Sequence, residues 1–284
     1  MPADLKEFCS QLYLRYSTRE LDRVVGSRRL SRQQMEKAAI EARKKAIEQS
    51  FVQAVSEYPA VEPHQLWDAI YVAHVKLKSG IDDLDVIEKI VSSHQSWIKS
   101  SGHAYEEIIK SKATEALSPH KIKIVLQRDL TDMLRTGVLA NAPRDIEIFE
   151  RMKRGTFDLY AIVSPEEDKN YCFGCIQCKT SIRERVKGDR EPSIQAMNDF
   201  FWSTIFVLNG DFLRLPEFIE MVNGGTEKFP GNGWHGMYVF SHLPQNDRIY
   251  PTDLTFTNFQ KHAVQAADMW LKQRQWLNTD WRAD

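Results

Sequence analysis

Residues 157–186 constrain the fold of this chain more than any other segment. They read FDLYAIVSPEEDKNYCFGCIQCKTSIRERV. Two runs rich in aromatic and branched residues, FDLYAIV and YCFGCIQCK, flank an acidic turn at 165–170. Side chains alternate along a strand, so Gln177 and Lys179 share one face of the second run. Paired as a hairpin, the runs bring the single acid of the first, Asp158, beside Lys179. Segments of helical periodicity lie on both sides. Strands interleaved with helices imply an α/β unit with a mixed sheet.

An acid and a lysine on adjoining strands suit metal-dependent cleavage of a phosphodiester. The carboxylate holds a divalent cation, and the lysine orients or helps deprotonate the attacking water. Arg183, Glu184 and Arg185 follow at once. Arginine bonds bidentately to guanine O6 and N7, and glutamate accepts from the cytosine N4 amino group. Taken alone, such a triplet is better explained as a surface ion pair.

Asp158, followed by Lys179 within CKTSIRER, resembles the PD-(D/E)xK nuclease fold. More narrowly, it is similar to the EcoRII and PspGI group of type II restriction endonucleases, which has CCGG-cutting relatives. The resemblance implies a PD-(D/E)xK core, a mixed β-sheet flanked by helices, with Asp158 and Lys179 as catalytic residues. It implies a second catalytic acid on the helix after the lysine, and Glu191 is the match, next to Pro192. The acid usual two residues before the lysine is Gln177 here, in agreement with a migrated glutamate. Related nucleases often carry a glutamate on the helix leading into the core, which Gly102 and Glu106 match. From the residues alone, Glu106 is equally an acid favoured by a helix N-terminus. Which of Glu191, Glu106 and Gln177 completes the centre stays open. The resemblance further implies Mg²⁺ held by Asp158 and Glu191, and Arg183, Glu184 and Arg185 reading a CC·GG half-site. Lys187 and Arg190 would follow the DNA beside them. The expected protein is a homodimer, or a higher homo-oligomer, making double-strand cuts in palindromic duplex DNA. A structure-selective repair or recombination nuclease and a catalytically decayed DNA-binding relative are the competing readings.

Bulk properties agree with a folded chain and narrow its partners. Of 284 residues, 42% are hydrophobic and 27% charged, an ordinary globular balance. A net charge of −1 excludes a generic polycation but not DNA binding, which local patches steer. Nine Lys or Arg fall within 19–45, and five within 179–190 beside the acid–lysine pair. No apolar run approaches a membrane span, and the start lacks the features of a secretory signal. A cytoplasmic, prokaryotic protein without a membrane partner is expected. Cys172, Cys175 and Cys178 spell C-x2-C-x2-C, but positions three apart on a strand point to opposite faces. Small buried hydrophobes explain them better than metal ligands. Gly231, Gly233 and Gly236 spell G-x-G-x-x-G without the strand–helix context of a dinucleotide site, so they read as a turn. No P-loop occurs either, and no nucleotide cofactor is expected.

The chain reads as an all-helical N-terminal domain over 1–100 and a catalytic domain over 101–284. Ser31 with Gln34 forms a capping box, followed by Ile40, Ile47, Phe51 and Val55 at helical spacing. Pro63 starts a second helix that stops at Gly80. A third carries Leu84, Ile87, Val91, His94 and Ile98 and ends at Gly102, with His94 a packed structural histidine. Beyond it come a helix at 103–117, a strand at 121–127 and helices toward 154. After the hairpin follow a helix over 192–208, a short one near 216–222, a strand at 237–241 and a long final helix.

Overall fold

The computed structural model describes residues 3–26, 31–81, 83–152, 156–181, 186–241 and 244–284. The chain divides into two compact units, Met1–Trp97 and Ile98–Asp284. The first contains α1 (Ala3–Val25), α2 (Arg32–Glu57), α3 (Pro63–Ser79) and the start of α4 (Leu84–Leu117). The Ser31 hydroxyl accepts from the Gln34 N–H while the Gln34 side chain accepts from the Ser31 N–H, which closes the α2 capping box. Gly80 ends α3 at φ +72°, a conformation that glycine adopts without steric cost.

Packing in this unit differs from the expected stripe. On α2, Ile40 and Val55 are exposed, and the buried face is Ala38, Ala42, Ala46, Ser50 and Ala54. Small side chains at a helix contact let two axes approach closely, so close approach to α1 outweighs the burial of larger residues. His94 is exposed rather than packed. Gly102 does not end a helix, because α4 continues to Leu117. A mid-helix glycine costs about 1 kcal/mol, and the buried run Tyr105, Ile109, Ala113 and Leu117 beyond it outweighs that cost.

The second unit is built on one mixed sheet in the order β1-β2-β3-β4-β5-β6. Its strands are β1 (Ile122–Leu126), β2 (Leu159–Glu166), β3 (Lys169–Ser181), β4 (Trp202–Asn209), β5 (Gly236–Phe240) and β6 (Ile249–Thr252). β1, β2 and β3 pair antiparallel, and β3 to β6 pair parallel. Helices α5 (Gln127–Thr136) and α6 (Pro143–Met152) fill the β1–β2 connection, and α7 (Val186–Asn198) crosses from β3 to β4. α8 (Pro216–Asn223) precedes β5, and α9 (Thr257–Gln273) follows β6.

Two departures from the expected elements matter for the site. The helix expected over 192–208 is instead α7 followed by β4. Residues 201–207 are buried without interruption, the pattern of a parallel strand covered on both faces. Pro192 lies inside α7 instead of opening it, so the helix begins six residues earlier. The four-residue strand β6 was not foreseen.

One sheet face packs on α4 and α9 through Leu159, Phe173, Ile176, Trp202 and Phe206. The other carries Tyr160, Cys172 and Cys175 toward α6 and α7, and farther along Ile205 and Val207, with Trp234 of the loop before β5 in the same cluster. The indole of Trp202 stacks on Phe173 at 6.0 Å. Gly174 lies opposite Trp202 in register, and a Cβ there would stand 2.9 Å from the Trp202 carbonyl oxygen. A register shift at Ala161/Ile162 puts Cys172 and Cys175 on the same face and Cys178 on the other. All four cysteines are buried and free, with burial raising their thiol pKa values. No described helix is long and apolar enough to cross a membrane.

Candidate active site

Asp158 sits at the entrance to β2, with its backbone fixed on both sides. Its N–H donates to Ile176 O at 3.0 Å, and its carbonyl accepts from Gln127 N–H at 3.2 Å. Its carboxylate accepts the Cys178 N–H at Oδ2, 2.7 Å away. Lys179, near the end of β3, reaches back so that Nζ lies 3.8 Å from the same oxygen. The hairpin therefore brings acid and lysine together.

The third member of this group is Asp189, in the first turns of α7. Its Oδ1 lies 3.4 Å from Lys179 Nζ, and its Oδ2 is buried with no hydrogen-bond partner among the described residues. The lysine thus stands between two carboxylates. The three side chains are 19–23% exposed, open enough for a substrate yet mostly out of water. Desolvation pushes the Asp158 carboxyl above the usual carboxylate range, and Asp189 pushes the same way against the lowering effects of Lys179 and the Cys178 N–H.

Glu106 lies on α4, close enough for the Asp158 charge to be felt. Burial first, and Asp158 second, raise its pKa, and His103 Nδ1 lies 3.5 Å from its Oε2. The neighbouring Glu107 is committed to Arg128 and Lys110 at the surface. Glu191 is exposed, and it is Asp189 that approaches the lysine. Two steps along a helix turn a side chain through about 200°, so the two acids face nearly opposite ways. With Pro192 taken as the helix start, nothing in the sequence ranked Asp189 above Glu191.

Gln177 is fully buried, with its amide bonded to Trp234, Thr156 and Asp189, so it is closed to a cation. Arg190, expected beside the DNA, is engaged within the chain. Its guanidinium donates to Met221 O and Gly231 O and lies over the Phe229 ring. Arg183, Glu184 and Arg185 lie outside the described residues, as does the Lys187 side chain.

The donor set suits a hard divalent cation. Magnesium is usually bound by one or two carboxylates with water and substrate phosphate completing its shell. Asp158 and Asp189 supply two carboxylates, and the orphaned Asp189 Oδ2 is an acceptor in need of a partner. No group of three His, Cys, Asp or Glu side chains among the described residues converges as a ready-made cage.

A mixed sheet with an acid–lysine–acid cluster at the end of its central hairpin defines a nuclease-like α/β protein, and comparison makes the class specific. Residues 138–276 match the family model for the BsaWI restriction endonuclease, type 2. The chain is 46% identical to the protein in the crystal structure of a pre-specific restriction endonuclease BsaWI–DNA complex, with a TM-score of 0.80 and 98% of each chain covered. It is also 26% identical over 170 residues to the type II restriction enzyme AgeI of Thalassovita gelatinovora. That match covers 58% of this chain and 55% of the relative's length. The chain belongs to the BsaWI family of type II restriction endonucleases.

Proposed function

We propose that this protein is a site-specific endodeoxyribonuclease that makes Mg²⁺-dependent double-strand cuts in duplex DNA at palindromes containing CCGG or CC-spacer-GG. The observation that carries this reading is Lys179 standing between Asp158 and Asp189 at the end of β3. The structural relative was crystallised on DNA, which supports DNA as the substrate. Asp158 and Asp189 hold the cation, with Asp189 in the role first assigned to Glu191. A cation held there would offset charge developing on the phosphate and would lower the pKa of the attacking water. Lys179 donates from Nζ toward the attacked phosphate and the water. Its two carboxylate neighbours fix the ammonium position, which lowers the entropic cost of aligning the reactants. Glu106 adds a third carboxyl near Asp158, held where it takes up a proton more readily than an exposed glutamate. Arg183, Glu184 and Arg185 read G·C edges of each half-site. Two copies related by a two-fold axis match a palindrome, and the helical unit at the N-terminus contributes to DNA contact or to pairing of the copies.

Plasmid cleavage with Mg²⁺ tests the centre. Asp158→Ala, Lys179→Ala and Asp189→Asn should each reduce the single-turnover rate by orders of magnitude, while Glu191→Ala should cut at close to the parent rate. Wild-type digestion should give discrete bands whose sequenced ends share a CC·GG core. Inactive Glu191→Ala beside active Asp189→Asn would restore the glutamate as the second acid. Nicking without discrete bands would favour a structure-selective nuclease.

A further inference from the structure

Gln177 lies on the same strand face as Lys179, two residues away, yet none of it reaches solvent. Its Oε1 accepts from Trp234 Nε1 at 2.8 Å, and its Nε2 donates to Asp189 O at 3.0 Å and Thr156 O at 3.2 Å. Partner chemistry fixes the amide orientation. An indole N–H can only donate and a carbonyl can only accept, so the flipped amide would lose all three bonds. One side chain thereby ties β3 to the segment two residues before Asp158, to the Asp189 turn of α7 and to the loop before β5.

The loop grips α7 a second time. Arg190, next to Asp189, donates to Gly231 O and to Met221 O. Gly233 sits so close that a Cβ would meet Met221 O at 2.8 Å and the Arg190 side chain at 3.3 Å. Of the glycines at 231–236, Gly233 serves this close approach, to the α8 backbone and the Arg190 side chain. Asn232 donates to Trp234 O and holds the tryptophan from the loop side.

We propose that Gln177, oriented by Trp234, is a positioning residue that holds the Asp189 turn against β3 so that this carboxylate faces Lys179 and a cation. The proposal rests on the assignment of Asp189 as a cation-holding acid. It predicts that a carboxylate at 177, though on the same strand face as the lysine and nearly isosteric with the amide, harms the reaction. One of its oxygens would face two carbonyl oxygens without a proton to share.

The test compares Gln177→Glu and Trp234→Phe with the parent and with Asp189→Asn. Cleavage rate is titrated with Mg²⁺, DNA affinity is measured with Ca²⁺ in place of Mg²⁺, and thermal unfolding is recorded. Gln177→Glu should bind DNA like the parent, need more Mg²⁺ and cleave about 10–100-fold more slowly, the usual cost of losing a partner that orients a metal ligand. Trp234→Phe, which keeps an aromatic, smaller ring and loses the N–H, should shift the Mg²⁺ requirement in the same direction. A Gln177→Glu protein with parent rate or tighter Mg²⁺ dependence would overturn the proposal, because position 177 would then accept an acid ligand. A lowered melting temperature with an unchanged rate per folded molecule would overturn it too, by leaving only a structural role. An active Asp189→Asn protein removes the premise. Inactive Asp189→Asn with normal Gln177→Glu and Trp234→Phe sinks the positioning role alone.

Discussion

Asp158 is held in a conflict that a bound cation would relieve. Burial raises its pKa, Asp189 adds to the rise, and Lys179 with the Cys178 N–H offsets only part of it. A carboxyl raised in the folded state weakens the fold above that folded pKa. The penalty vanishes below the ordinary value of 3.8, where folded and unfolded forms are both protonated. Asp158→Asn keeps an acceptor for the Cys178 N–H and removes the buried charge. In the absence of divalent metal it should therefore raise the melting temperature at neutral pH, and the gain should shrink as pH falls toward the ordinary carboxylate range. Equal or lower stability of the variant at neutral pH would show that Lys179 more than balances the burial. The acid–lysine pair itself was legible in the sequence, because hairpin partners are close in the chain and strand alternation fixes which residues share a face. Asp189 was not, because its direction depends on where α7 begins.

Elements are fixed at their ends by polar contacts that no local pattern reveals. The last helix, α9, is followed by Arg274, whose guanidinium pairs with Asp145 of α6 at 2.7 Å and donates to Asp199 O. Asp145 is almost wholly buried, whereas Arg274 keeps about a quarter of its side chain exposed and lies over Phe201 and Trp270. Removing one partner of a buried pair leaves an uncompensated charge and costs about 3–5 kcal/mol. Arg274→Met should lose stability of that order in chemical denaturation. Arg274→Met combined with Asp145→Asn should recover much of it. For contrast, the exposed Lys272–Asp268 pair on the same helix should matter by about 0.5 kcal/mol or less. A single variant as stable as the parent would mean that water reaches Asp145 and solvates it.

At the scale of the whole molecule, the proposed dimer gives a direct measurement. Light scattering of the protein on a CCGG duplex, with Ca²⁺ to prevent cutting, should report twice the 33.0 kDa chain mass per duplex. One chain per duplex would sink the two-fold reading of a palindrome. Within the second unit a glycine at 102, which reads as a helix stop, is passed over. The apolar face resumes beyond it at Tyr105, and burial of that face outweighs a local cost.

What the sequence determined by itself was whatever depends on near neighbours. The capping box at Ser31, the stop at Gly80, the β2–β3 hairpin and the meeting of Asp158 with Lys179 all follow from periods of 2 and 3.6 residues and from turn chemistry. Tertiary structure decided the rest. It selected the alanine face of α2, made residues 202–209 a central strand, set the phase of α7 so that Asp189 and not Glu191 approaches the lysine, and closed Gln177 onto Trp234 across 57 positions. The physical reason is the same in each case. A local period says which residues share a face but not which face is buried, and that choice is made by contacts between segments far apart in the chain.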